Sequence, residues 1–513
     1  MTIAIEVSAW RISAAAVEML RFSSAGFTTR PTDTPGNAYF EGRLLEQPRL
    51  SRTLFDRATT YGASRASAGK IRLNNTGGGL DNLVTDYAFD GRPFTVKVGQ
   101  AGTPVAGWAT VMSGLLDDVS ADDGAMSLQV RDRLAFLGRP LARPKYAGNN
   151  VLPDGVEGTK DDLKDQYKPR VYGAVLNVPA KAVNTSKLVY QVSDQACTVS
   201  AVYDNGVALA RGADYASQAE LLATAPAVSS FRCWGGLVRL GTKPDGQVTA
   251  DANTAEQRAG ALLKQLALDA EIVAGDIQDA DVAALNAANA APVGVWVDGE
   301  VSAQVVMDEL ANAIGAWYGF DRFNRLRMGR LTAPSGVPVA RWSPNSVTSL
   351  VLRSAGVPSW RAVVRFGRNY TVQAQPAGSL AEARKAFLAQ EYRQTAVEVA
   401  AVKTAWPSSE EITFDSALVA EADAAAEAAR RSALYSVRRI LVEAEIPLSE
   451  LGDLVDLGVV VALDHPRYGL AGRLLRVIGL DAGVDSDTVK LTLVGVGWRT
   501  FSWRIPISPT PAA

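Results

Sequence analysis

The segment that most constrains this chain lies near its C-terminal end, at residues 438–497. Ile440-Leu441-Val442-Glu443-Ala444-Glu445-Ile446 alternates apolar and polar side chains. Residues 474–480 alternate less strictly, and Val489-Lys490-Leu491-Thr492-Leu493 does so without a break. A two-residue period sends one set of side chains to a buried face and the other to water, which predicts strands. Gly452-Asp453, Gly469, Gly472, Gly483 and Asp485-Ser486-Asp487 supply the turns between them. The expectation is a small antiparallel sheet or barrel.

A related pattern sits near the N-terminus. Gly107 and Gly114, followed by Leu115, line up with Gly472 and Gly479, followed by Leu480. An Asp-rich turn comes next in each: Asp117-Asp118 with Asp122-Asp123-Gly124, and Asp481 with Asp485-Ser486-Asp487. Each then closes on an alternating strand, Met126-Ser127-Leu128-Gln129-Val130 or Val489-Lys490-Leu491-Thr492-Leu493. Two unrelated hairpins share some of these signals. The alternative is internal duplication, with two related β-barrels in one chain.

With 513 residues there is room for several domains. Hydrophobic residues at 47% and charged residues at 21% are the proportions of a globular protein. A net charge of −2 leaves no overall basic footprint for nucleic acid. The first residues lack a basic region followed by an apolar core, so no signal peptide is expected. No run approaches the roughly 20 apolar residues of a membrane helix. Cys197 and Cys233 are too few for a disulfide framework; one pair or two buried thiols remain open.

Five units are expected. Residues 1–145 form a β-domain, with a loop at 28–37, strands at 39–45 and 70–73, and a Gly-rich turn at 74–81. Residues 146–250 form an inserted β-domain with hairpin turns at Asp204-Asn205-Gly206 and Pro244-Asp245-Gly246. Residues 251–345 hold two helices, one capped by Asn253 or Thr254 and one by Ser302, then a hairpin turning at Phe323-Asn324. Residues 346–497 hold a helix opened by the capping box Ser379-Leu380-Ala381-Glu382, an Ala-rich helix over 416–436, and the alternating strands. Residues 498–513 read as an extended arm. The fold class is mainly β with α+β segments.

No residue stands out as catalytic, cofactor-binding or metal-binding. His465 is the sole histidine, in a turn, with no paired nucleophile motif. The glycines at 77–79 lack the spacing of a phosphate loop. Asp276, Asp279 and Asp281 lack the calcium-loop pattern and read as a solvated acidic loop. Trp296, Trp317 and Trp342 lie in or beside apolar runs and read as core rather than as a sugar platform. Paired carboxylates for glycoside hydrolysis are a spatial arrangement that sequence does not exclude.

The order of the Gly452-Asp453 turn, the strand ending at Val477-Ile478-Gly479, and the closing Val489–Leu493 run resembles the C-terminal part of bacteriophage tail-tip (baseplate hub) proteins. The helix followed by Gly315-Ala316-Trp317-Tyr318-Gly319-Phe320 and Leu326-Arg327-Met328-Gly329-Arg330-Leu331 is similar to another part of that family, as are the Asn-rich turn and Asp90-Gly91-Arg92 start of the N-terminal region. The resemblance implies a structural virion protein with two tail-tube-like barrels, made in a bacterial cytoplasm and located at the tail tip. It implies a homotrimer that continues the tube, contacts tube and baseplate proteins and a central fibre, and lets DNA pass without binding it. No enzymatic activity, cofactor or membrane segment is expected. The alternatives are a hexameric distal tail protein and, from another class, a cell-wall polysaccharide hydrolase or carbohydrate-binding adhesin.

Overall fold

A computed structural model describes residues 2–55, 60–100, 102–354, 356–483 and 488–496. The expected turn at Asp485-Ser486-Asp487 and the expected arm at 498–513 lie outside these residues. The chain is mainly β, with 40% strand and 18% helix.

Two sheets at opposite ends of the sequence share one plan. Each sheet has eight strands, six of which correspond. In the N-terminal sheet these are, in chain order, Thr2–Arg11, Leu44–Glu46, Lys70–Asn74, Pro93–Gly99, Ala109–Ala121 and Ala125–Arg131, with Ala16–Ser23 and Tyr87–Ala88 both paired to the first. In the C-terminal sheet they are Arg341–Trp342, Ser349–Ser354, Arg439–Pro447, Val460–Leu463, Arg473–Gly483 and Thr488–Val496. Side by side, both sets run first, fourth, fifth, sixth, third, second. The first strand is antiparallel to the fourth in the N-terminal sheet and parallel to it in the C-terminal one. The strand pairs among the described residues run as open orders in both sheets, with a half-barrel sheet in a mainly β chain.

Each fifth strand carries one extra residue against its sixth. The register slips between Leu116 and Val119 in the first sheet and between Val477 and Gly479 in the second. Such a bulge bends a strand and increases its twist. The bulges set an equivalence different from the sequence alignment. Leu480 faces Leu491, but Leu115 faces Arg131, and it is Val119 that faces Leu128. Aligning the bulges matches Leu116 with Val477, four residues from the glycine-based match. Period-two alternation repeats identically every second residue, so it cannot fix which pair meets.

The two sheets are joined. One apolar cluster runs from Ile5, Ile71 and Leu128 through Leu54 and Trp317 to Val442, Val477 and Leu493. The described strands between the second and third strands of the N-terminal sheet reach the other sheet. Leu50–Thr53 and Arg65–Ala68 pair with each other, and Leu50–Thr53 pairs with the Arg473–Gly483 strand. Gly62–Ala63, from the same connection, lies beside Ala316–Phe320.

The inserted region forms two five-stranded sheets around Val175, Val199, Val202, Phe231 and Val238. Asn205 and Gly206 both have positive φ, 47° and 86°, and close a two-residue hairpin as the sequence predicts. Asp204 adds a second use, its carboxylate accepting the Asp245 and Gly246 N–H groups of the neighbouring turn. Strand Val248–Asn253 runs through residue 250, and Gly294–Val297 pairs into the same sheet through Arg170–Pro179.

A helical layer supports the sheets. Ala303–Ile314 begins at Ser302, whose hydroxyl accepts the Val305 N–H, and ends at Gly315 in the left-handed conformation with φ 64°. Val306, Leu310, Ala313 and Ile314 are buried, as the helical spacing of Val306, Leu310, Ala313, Ile314 and Trp317 predicts, but Trp317 falls in the next strand, Ala316–Phe320. Two capping expectations fail. Helix Ala259–Asp269 starts after Arg258, because Thr254 is occupied with Gly173 and Glu256. Helix Glu382–Leu388 starts after Ala381, and Glu382 reaches forward to Lys385 instead of back to Ser379. The Ala-rich helix spans Glu421–Tyr435.

Candidate functional site

The residues weighed for chemistry are scattered and already engaged. His465 Nδ1 accepts the Arg467 N–H within its own turn. Cys197 and Cys233 are unpaired thiols, both pushed up to about 12 by burial. The Gly-rich turn closes on Asn75, whose side chain accepts the Leu80 N–H at 2.7 Å and donates to Asp81 at 2.8 Å. Asp276, Asp279 and Asp281 each face a different cation, namely Arg133, Lys264 and Arg327. Among the described residues no group of three His, Cys, Asp or Glu side chains is placed to hold a metal. Trp317 and Trp342 are buried, and Trp296 is half-buried against Tyr370.

One polar cleft of about 350 Å³ opens between the Ala303–Ile314 helix and the strands Arg361–Phe366 and Glu411–Asp415. It gathers three carboxylates, Glu309, Glu391 and Asp415. Each is answered by a guanidinium: Arg368 bonds Glu309 at 3.3 Å and Glu391 at 3.2 Å, and Arg365 meets Asp415 at 3.0 Å. Burial raises the Glu309 carboxyl, with Arg368 pulling the other way. The sequence could not bring these residues together, since they come from three separate elements.

The more extensive charge arrangements lie at junctions. Arg52 enters from the crossing strand Leu50–Thr53, buried at 5% exposure, and bonds Asp456 at 2.6 Å and the Phe320 carbonyl. Asp456 also accepts the Arg322 N–H at 3.1 Å and the Leu457 N–H at 2.6 Å. Burial alone would raise the Asp456 carboxyl, but the Arg52 charge and these N–H donors hold it below the ordinary range. N-terminal region, hairpin and C-terminal sheet thus meet at one carboxylate.

Glu427 forms a second node, bonded by Arg330, Arg430 and Arg431. Arg431 is 1% exposed, stacks over Phe414 and also bonds the Asn312 carbonyl. Burial pushes the Arg330 guanidinium down to about 10, with Arg430 adding to it. The sequence held a signal for this node, because Glu427 and Arg431 fall on the same helical stripe as Ala424, Ala428 and Tyr435. Both arrangements fix elements to one another.

No protein-family model and no curated protein sequence matches the chain. Solved structures do. The 43 kDa tail protein of prophage MuSo2 from Shewanella oneidensis aligns over 97% of this chain and 98% of its own, at 11% identity and a TM-score of 0.40. A tail protein from Neisseria meningitidis MC58 aligns over 96% of each chain at 9% identity and a TM-score of 0.41. A chain of the native gene transfer agent virion aligns over 71% of this chain and 92% of its own, at 14% identity and a TM-score of 0.42. These structural neighbours are tail and virion proteins.

Proposed function

We propose that the chain is a structural subunit of a phage tail tip or baseplate, working by shape and contact rather than by catalysis. In this reading three copies close a ring, six similar sheets line it, and the ring continues the tail tube toward a central fibre and other tip proteins. The observation that carries it is the repeated strand order, first-fourth-fifth-sixth-third-second, in two sheets of one chain. Two equivalent sheets per chain let a threefold object present a sixfold surface. Six copies would present twelve, which disfavours the hexameric distal tail protein. DNA would cross such a ring without specific binding, in keeping with the net charge of −2.

Light scattering on the purified chain, with averaged electron images of the same sample, tests the reading. A threefold ring with near-sixfold inner density supports it, and a sixfold ring replaces it with the distal tail protein. One observation favours a hydrolase instead: the cleft that gathers Glu309, Glu391 and Asp415. Cell-wall cleavage by the wild type that is lost in Glu309→Gln would establish that activity. The carbohydrate-binding adhesin predicts a row of exposed aromatic rings, and the buried Trp317 and Trp342 give it no support.

A further inference from the structure

The C-terminal sheet leaves part of its core face uncovered. Its strand Ser349–Ser354 lies at an edge, paired on one side with Arg439–Pro447. Among the described residues no strand pairs with its other side. Leu350 faces Ala444 and Leu352 faces Val442 across the ladder. Residues directly opposite in a ladder point to the same face. Val442 and Ala444 are 0% exposed within the main apolar cluster. Leu350 and Leu352 therefore point to the core face, yet Leu350 is only partly buried and Leu352 is 39% exposed. An unpaired edge with apolar side chains is a template for another strand.

The chain's last residues start close to that edge. The final described strand ends at Val496, which faces Arg439, and Ser354 faces Ile440. Val496 and Ser354 thus lie at the same end of the sheet, with Arg439–Pro447 between their strands. From Val496 to the free side of Ser349–Ser354 is three strand spacings, about 14 Å. The five steps from Val496 to Phe501 cover up to about 17 Å. From there the sequence alternates, with Phe501, Trp503, Ile505 and Ile507 separated by Ser502, Arg504 and Pro506. That is the pattern of a strand with one buried face. Pro506 confines such a strand to an edge, where a missing N–H costs no ladder bond.

We propose that residues 501–507 fold back as an added strand on the free side of Ser349–Ser354 in the same chain. The added strand runs antiparallel to its mate, because the chain arrives at the Ser354 end. The first register within reach that keeps the apolar set on the core face puts Phe501 opposite Ser354, Trp503 opposite Leu352 and Ile505 opposite Leu350. Trp503 then covers the exposed Leu352, while Ser502 and Arg504 turn to the other face. A slip of one residue would exchange the two sets, so burial specifies the register. The added strand occupies an edge otherwise open to a foreign strand, and Pro506 keeps the new edge from being extended. This joint forms within one chain and holds whether or not the copies assemble into a ring.

The test uses the full chain. Leu352→Cys combined with Trp503→Cys places two thiols opposite each other on adjacent strands, a separation that a disulfide spans. Oxidation by air with copper phenanthroline is expected to join them within one chain, seen as a monomer on a denaturing gel and as a linked peptide pair by mass spectrometry. Leu352→Cys combined with Ser502→Cys is the control and is expected to link far less, since Ser502 faces away. Hydrogen exchange gives a second readout. Trp503→Asp is expected to speed exchange of the 349–354 amides about tenfold or more, with 440–446 unchanged. A link between two chains, equal linkage in the control pair, no linkage at all, or unchanged exchange overturns the inference. Should the cysteine pair fail to fold, the exchange measurement decides; should Trp503→Asp fail to fold, the crosslink decides.

Discussion

Arg52 and Asp456 are 404 positions apart in sequence and 2.6 Å apart in space, both buried. Their pairing is expected to behave as a buried ion pair does. Removing one partner leaves the other charged and dry, which costs about 3–5 kcal/mol, whereas replacing both with apolar residues of similar volume costs far less. Asp456→Ala should therefore lower stability more than the double change Arg52→Met with Asp456→Leu. Chemical denaturation of the three proteins checks the order.

The same carboxylate sets part of the acid response. Its pKa is held below its unfolded value, so its contribution is complete above the unfolded pKa of about 4 and is lost as pH falls through the lower folded value. Asp456→Asn is expected to flatten the fall in stability below about pH 4. Denaturation midpoints measured from pH 6 downward test this.

Helix Ala303–Ile314 offers a paired test of its two ends. Ser302→Ala removes the hydroxyl that accepts the Val305 N–H and should cost about 1 kcal/mol. Gly315→Ala should cost more than about 1 kcal/mol, because φ is positive there and the new methyl would meet the Arg430 guanidinium. Thermal melts of both variants suffice.

Asn177 fastens the inserted sheets to a later loop. Its side chain, 0% exposed, donates to the Asn369 side chain at 2.7 Å and the Thr371 carbonyl at 2.9 Å, and accepts from Thr249 at 2.6 Å. Asn177→Leu leaves these groups unpaired and is expected to cost about 2–3 kcal/mol. Limited proteolysis is expected to cut within 369–391 in the variant and not in the wild type.

Both thiols lie raised by burial, so neither is expected to react with iodoacetamide at pH 8 in the folded chain. Both should react in denaturant. Mass spectrometry counts the adducts.

The parts legible in the sequence were those whose cause is local. Ser302 caps its helix, Asn205-Gly206 needs positive φ, and the 440–446 alternation needs a buried face. The register of the fifth strands was not legible, because a bulge adds a residue without changing the alternation on either side. Strand Leu50–Thr53 was missed as a partner of Arg473–Gly483, since nothing nearby in sequence specifies a mate more than 400 residues away. Ser379 has a capping pattern, yet the helix begins after Ala381 with no side-chain cap. Arg52 gave no signal at all, as an arginine on a short strand reads as solvated until the strand's destination is known.

The crossing connection at residues 50–68 has a consequence for how such a chain could assemble. Its strand pairing and the shared apolar cluster hold the two sheets together within one chain. In a ring of three, every second joint is then finished before any subunits meet. In the ring proposed above, curvature would be fixed by intramolecular folding, two encounters would unite the three copies, and the last joint would close within the assembly.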